Sequence, residues 1–335
     1  MNCYLNTYIM RYRLWQLILY GLRGIYSKTG KTYQHPPLKR IRDADVVADL
    51  LFRRIDEGKP LMVSRFGAVE ISAVYNYMNI ISPTHSAIKF ITGEQGEWWW
   101  NEGTRYCMKN NAGFFPNDND SLARFGECML DDMTQIDILA SWLNLEHCMT
   151  GRMSGVIPIA FNFLDPFWSK RPWTKALEGK KVLVVHPYQE EIEYQYAHNR
   201  ERLHKNPDTL PEFHLITFKA VQSIGGNDHY ASWFDALEYM EREIDKIDYD
   251  VCLLGCGAYG MPLAAHIKRT GKIAVHFGGS LQLLFGIWGK RWENREYGAR
   301  EGISQYPDLP NAYWIRPYDS SITPSMRKVE NGCYF

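Results

Sequence analysis

Two short stretches carry residue types able to hold a phosphate and move a group. In Ser64-Arg65-Phe66-Gly67-Ala68-Val69-Glu70 an arginine and a glutamate bracket a glycine turn. Arginine offers a planar fork of N–H donors to phosphate, and glutamate can serve as a general base or bind a metal. The alternative is an Arg65–Glu70 ion pair that only staples the turn. In Gly255-Cys256-Gly257-Ala258-Tyr259-Gly260 the glycines stand at the Gly-x-Gly-x-x-Gly spacing, which lets a backbone turn tightly and bring amides close to an anion. That spacing serves dinucleotides, S-adenosylmethionine and nucleotide sugars alike, and glycines also allow plain close packing of helix on strand. An acidic residue is expected about 20 positions on, at the end of the next strand, to hold the ribose of a nicotinamide cofactor. His276 stands there instead, followed by Phe277, Gly278 and Gly279, which argues against ordinary NAD binding.

Other residues are weaker candidates. His186, before Pro187, reads as structural before catalytic. Asp118 and Asp120 form an Asp-x-Asp of the sort that holds a divalent cation, yet they directly precede a helical stretch, where aspartate caps free amides. Trp98, Trp99, Trp100, Phe114 and Phe115 could stack on a sugar or base, although packing is the commoner use of such rings. Tyr259 and Gln282 flank the glycine turns, and Gly289-Lys290-Arg291-Trp292 could set cations beside a diphosphate.

These residues need a frame, and the apolar pattern supplies one. Strands are expected at Leu61–Ser64, Lys181–His186, Phe213–Lys219 and Val251–Leu254, with a further one ending at His276, and helices at 43–57, 68–78, 190–205, 229–247 and 258–268. Residues 136–143 read as a strand or a helix. Alternation of this kind means right-handed crossovers and a mostly parallel sheet with helices on both faces, whose ligands sit at the carboxyl ends of the strands. His186, Gly255 and Gly278 all fall there. The expectation is one Rossmann-like α/β domain over residues 43–335, preceded by a basic amphipathic segment and linker over 1–42.

Composition narrows the function classes. Basic and acidic residues balance at 38 each, so net charge points to no nucleic-acid partner. The first 42 residues hold Arg11, Arg13, Arg23, Lys28, Lys31, Lys39, Arg40 and Arg42 and no acidic residue at all. Over residues 8–27 Leu14, Trp15, Ile18, Leu22 and Ile25 share one helical face, with Arg13, Gln16, Tyr20 and Arg23 opposite and Arg11 on the apolar side. This suits a helix lying in an anionic membrane surface, or one docked on its own domain or on a second subunit. The seven cysteines, including Cys3 and Cys333, show no Cys-x-x-Cys and read as free thiols in a reducing cytosol. No apolar run approaches the roughly 20 residues of a membrane span, and no secretory signal is legible.

Taken together, 64–70 and the 253–279 strand-helix-strand make the chain resemble the GT-D type glycosyltransferases, bacterial enzymes of surface polysaccharide and glycoprotein assembly. Ser64 to Glu70 is similar to that family's Arg-Phe-Gly-Asp-Gly-Glu, and Leu253-Leu254-Gly255-Cys256-Gly257 through Ala274-Val275-His276-Phe277-Gly278-Gly279 to its C-terminal unit. The resemblance implies a nucleotide-sugar donor, with a UDP-sugar favoured, a glycan or lipid-linked acceptor, and magnesium or manganese. Ala68 stands where the family carries an aspartate, leaving Glu70 as the one carboxylate for metal or base. On this reading Arg65 and Glu70 are catalytic, and Gly67, His186, Gly255, Gly257, Tyr259, Gly260, Gly278, Gly279 and Gln282 bind the nucleotide sugar. The expected setting is the cytoplasm, peripherally at the inner membrane face, with a homo-oligomer left open. An S-adenosylmethionine or dinucleotide enzyme and a non-catalytic assembly protein are the rival classes.

Overall fold

The computed structural model describes residues 2–224, 229–322 and 332, and side chains from residue 13 onward. The side chains of Cys3 and Arg11, and all of Cys333, lie outside the described residues. Seven strands run in chain order: β1 Leu61–Ser64, β2 Ile138–Ser141, β3 Ile157–Ala160, β4 Lys181–His186, β5 His214–Lys219, β6 Val251–Leu254 and β7 Ile273–His276. They form one parallel sheet in the order β3-β2-β1-β7-β6-β4-β5, with Val63 beside Ile138 and Val275, and Val182 beside Val251. The helices are α1 Asn2–Ser27, α2 Ala44–Asp56, α3 Ala68–Ile80, α4 Ala87–Thr92, α5 Glu102–Asn110, α6 Asn119–Asp132, α7 Gln189–Leu203, α8 Trp233–Ile244, α9 Gly260–Arg269 and the single turn α10 Leu281–Leu284. Residues 136–143 resolve into β2. The expected helices over 229–247 and 258–268 begin later than their sequence signals, because Ser232 caps α8 and a 3-10 turn at Gly257–Tyr259 precedes α9. β3 has no counterpart among the expected strands. It is a short edge strand that accommodates Pro158, a residue that an interior ladder would exclude.

Successive strand residues point to opposite faces, and both faces are covered. Met62, Leu139, Leu183, Cys252 and Ala274 join a core with α3, α6, α8 and α9. Leu61, Ile138, Val182, Val251 and Ile273 join the other, with α2 and α7. The side each helix takes follows from handedness. Crossovers leading toward β3 carry α3, α8 and α9 on one face, and the β4-to-β5 crossover, running the opposite way, carries α7 on the other. The direction of winding therefore reverses between β4 and β6. The carboxyl ends of those two strands, His186 and Leu254, stand side by side at a crevice.

The N-terminal helix docks with the face opposite to its apolar stripe. Leu19 is fully buried, Tyr20 packs edge-on to Phe90 and Trp99, and Arg23 lies over the Phe90 ring at 4.7 Å and pairs with Glu97 at 3.8 Å. Trp98 and Trp99 pack on each other and on Phe90. Leu14, Trp15, Ile18, Leu22 and Ile25 are left exposed, Ile25 at 67% and Leu14 at 57%, and Leu17 joins them at 68%. Among the described residues no helix is long and apolar enough to cross a membrane. Asp118 is a cap, accepting the Ser121 amide at 2.8 Å. Cys107, Cys128, Cys148, Cys252 and Cys256 are free thiols.

Candidate functional site

A cavity of about 570 Å³ opens at the carboxyl edge of the sheet, over the crevice where winding reverses. This is the size of pocket that encloses a nucleotide-scale ligand. Its wall gathers the turns that follow four strands: Arg65 to Glu70 after β1, His186 after β4, Gly255 to Tyr259 after β6, and His276 with Gly278 and Gly279 after β7. Gln282 also lines it, with its amide donating to the Ile287 carbonyl at 3.1 Å. Ten of the eleven residues expected to form the site are thus brought together. Gly260 is the exception and stands off the wall.

Each glycine has its own reason. A Cβ on Gly260 would overlap the His276 imidazole, so this glycine seats α9 against β7. A Cβ on Gly255 would come within 2.5 Å of the His186 ring. The packing role of this motif is therefore real at two of its three positions. Gly257 and Gly278 are different: φ is +60° and +72°, a left-handed backbone that side chains resist. At Gly278 a side chain would also collide with the Arg65 guanidinium.

Arg65 is half-buried and occupies the centre of the β1 turn. Its Nε and Nη2 both donate to the Phe66 carbonyl, at 3.3 and 3.2 Å, and its guanidinium carbon lies 5.6 Å from the Trp142 ring centre and 5.2 Å from that of Phe161. Those two rings stack on each other at 5.5 Å. The stapling ion pair with Glu70 does not form, and Arg65 pairs with no carboxylate among the described residues. Glu70 is the third residue of α3, and its carboxylate folds back over the Gly67 backbone where the helix begins. An acid at this position also complements the helix dipole.

Two neutral histidines back the cavity. His186 accepts the Tyr188 amide on Nδ1 at 3.0 Å, and His276 Nδ1 meets the Ser64 hydroxyl at 3.2 Å. Burial pushes both rings down to about 3, with the charge of Arg65 adding to the effect on His276. Tyr259 is tied to Ser223 at 2.8 Å and stacks on Trp233 at 4.7 Å, so it braces the wall. Below Arg65, Asp165 is buried and accepts the Tyr306 hydroxyl at 2.5 Å; burial lifts its carboxyl to about 6, against the lowering effects of Ser280, Tyr306 and Arg65.

Several wall residues had no legible signal. Trp142 and Phe161 follow β2 and β3, one of which was ambiguous and the other unseen. Arg300, Tyr297 and Glu296 come from the C-terminal segment, which folds over the cavity on a small core of Leu283, Trp288, Trp292, Ile303 and Tyr306. The basic cluster read at 290–291 was a partial pointer, since Arg291 reaches the wall and Lys290 is exposed to solvent.

Among the described residues Ala68 offers no ligand beside Glu70, and no group of three or more His, Cys, Asp or Glu side chains is placed to hold an ion. Compared with protein-family models, with curated proteins and with solved structures, the chain finds no match.

The histidines make stability depend on pH in a definite sense. Between about 3 and the ordinary value of about 6.5, His186 and His276 are protonated in the unfolded chain but neutral in the folded one, so acidification favours unfolding. Asp165 acts in the opposite sense between about 4 and 6, because its raised value lets the folded state keep a proton that the unfolded state has lost. His204, also held low by burial, acts with the two histidines, and the carboxyls of Asp132, Glu146 and Glu241, raised by desolvation, act with Asp165. Urea denaturation of the His276→Gln variant is expected to give a less positive pH slope than the parent, by up to about 1.4 kcal/mol per pH unit; identical slopes would show that His276 is not held neutral.

Proposed function

We propose that the chain is a glycosyltransferase that moves a sugar from a nucleoside-diphosphate donor to a glycan acceptor, in bacterial surface polysaccharide assembly. The observation that carries this reading is the convergence in one cavity of an arginine that pairs with no carboxylate among the described residues, the glycine turns of β6 and β7, and the carboxylate of Glu70. The diphosphate lies along the Gly67 and Gly255–Gly257 turns, with Arg65 offsetting its charge. In the transfer step the bond from the sugar C1 to the β-phosphate oxygen breaks and its electron pair stays on the diphosphate. The acceptor oxygen bonds C1, and its proton passes to Glu70. A UDP-sugar is the favoured donor.

Lipid-linked glycans lie at anionic membrane surfaces, and the N-terminal helix supports such an acceptor. Its exposed stripe, from Leu14 to Ile25, sits within an acid-free basic segment in which Arg13, Lys28, Lys31 and Lys39 have no ion-pair partner among the described residues. The chain then works peripherally at the cytoplasmic face.

Three measurements test this. In a thermal-shift screen of UDP, GDP, CDP, dTDP, S-adenosylmethionine and NAD, one nucleoside diphosphate is expected to raise the melting temperature; a shift with S-adenosylmethionine or NAD alone would overturn the transferase reading. Glu70→Gln is expected to lower turnover by about 10²- to 10⁴-fold with the donor affinity kept, and normal turnover in a folded variant would remove Glu70 as the base. Co-sedimentation should show binding to vesicles containing phosphatidylserine and loss of that binding in Leu17→Glu/Ile18→Glu, whereas equal binding of the variant would exclude this face from the membrane contact.

A further inference from the structure

The donor reading of this cavity leaves open what neutralises the diphosphate, and the side chains present favour guanidinium over metal. Trp142 links two arginines. Its ring lies against Arg65 on one side, its indole N–H donates at 3.0 Å to the same Phe66 carbonyl that Arg65 uses, and its own carbonyl accepts Nη1 of Arg300. Both arginines line the cavity, and neither forms an ion pair with a described residue.

The surrounding charges keep them available. Glu301, next to Arg300 and also on the wall, is taken up by Arg40 at 2.9 Å and Arg42 at 2.8 Å, with only 2% of its side chain exposed. Two arginines from the linker thus cancel the carboxylate that would otherwise quench Arg300. The Glu70 carboxylate lies over the Gly67 backbone, and Asp165 is buried among Tyr306 and Ser280. Glu296 is an exposed carboxylate that also lines the cavity. At Arg65 the Phe66 carbonyl occupies Nε and Nη2, and Nη1 reaches the Gly278 turn on the cavity wall. A half-buried guanidinium held over aromatic faces and lacking a counter-ion is stabilised by an incoming anion, and its fork matches phosphate oxygens two at a time.

We propose that this site binds the nucleoside diphosphate without a metal ion, the diphosphate being held by Arg65 and Arg300 on either side of Trp142. The inference rests on the glycosyltransferase reading of the same cavity, and deepens it by replacing the divalent cation with two side chains. Arg300 is exposed on a surface segment, so its substitution leaves the core intact.

The test is calorimetric titration of the full chain with UDP, GDP, CDP and dTDP, each in excess EDTA and in millimolar manganese. The nucleoside of whichever diphosphate binds is titrated in parallel. The diphosphate is expected to bind in EDTA with an affinity within about threefold of that in manganese. Arg300→Gln should weaken it about tenfold or more in EDTA, a loss typical of a charge-assisted phosphate contact, while nucleoside binding and melting temperature stay unchanged. Arg300→Lys should recover part of the loss. Binding that appears only with manganese would overturn the metal-free site and leave the donor reading standing, and an unaltered affinity in Arg300→Gln would remove Arg300 from it. Failure of every nucleoside diphosphate to bind under both conditions would overturn both readings.

Discussion

Handedness in a parallel sheet is the constraint on which the rest of this molecule depends. A right-handed crossover puts the connecting helix on a face fixed by the direction of winding, so a chain that winds both ways must change faces somewhere. Here the change falls between β4 and β6, whose following segments diverge to opposite sides of the sheet. The cavity forms at the carboxyl ends at that place. The turns after β1 and β7 lie beside it because β7 pairs with both β6 and β1. Residues separated by about two hundred positions, Arg65 and Gly278, are therefore in contact for a topological reason before any ligand is considered.

Within that frame the site is built from close approaches. Gly255 makes room for the His186 ring, Gly260 for His276, and Gly278 for the Arg65 guanidinium. Two of these neighbours are neutral rings and the third is a cation, so the part of the wall at these three glycines carries a single positive charge, with the Glu70 carboxylate on the neighbouring turn. That asymmetry strengthens the attraction for an anion, since a charge facing polarisable rings is less screened than one facing water. The buried Asp165 moderates it from below without touching Arg65, which keeps the guanidinium compatible with the folded state.

The fold was legible because its signals are local. Continuous apolar runs such as Val251–Leu254 announce strands buried on both faces, and the stripe of Trp233, Leu237, Met240 and Ile244 announces the helix that covers them. The glycine turns and Arg65 were legible for a similar reason, since each turn is contained in a few consecutive residues. Trp142, Phe161 and Arg300 were not. They owe their place to long-range packing: an edge strand of four residues with a proline, and a C-terminal segment whose order comes from a small core of its own rather than from periodicity. Gly260 has the right spacing and is packed against the His276 ring, off the cavity wall.

The N-terminal segment illustrates how a pattern can be read correctly and its use left undecided. The periodicity of Leu14, Trp15, Ile18, Leu22 and Ile25 defines an apolar face, but a helix with such a face ordinarily turns it inward. In this chain Leu19, Tyr20 and Arg23 do the docking, through one buried aliphatic side chain, aromatic edges and a cation over a ring. The helix is held in place while its apolar face is left outside. The linker that follows is fixed in turn by Arg40 and Arg42 on Glu301, a residue of the cavity wall. One continuous stretch of about forty residues therefore joins an exposed apolar face to the wall of the site, and the two arginines that complete the join pair with Glu301, the neighbour of Arg300. The same ion pairs that anchor the linker thus neutralise a carboxylate of the cavity wall.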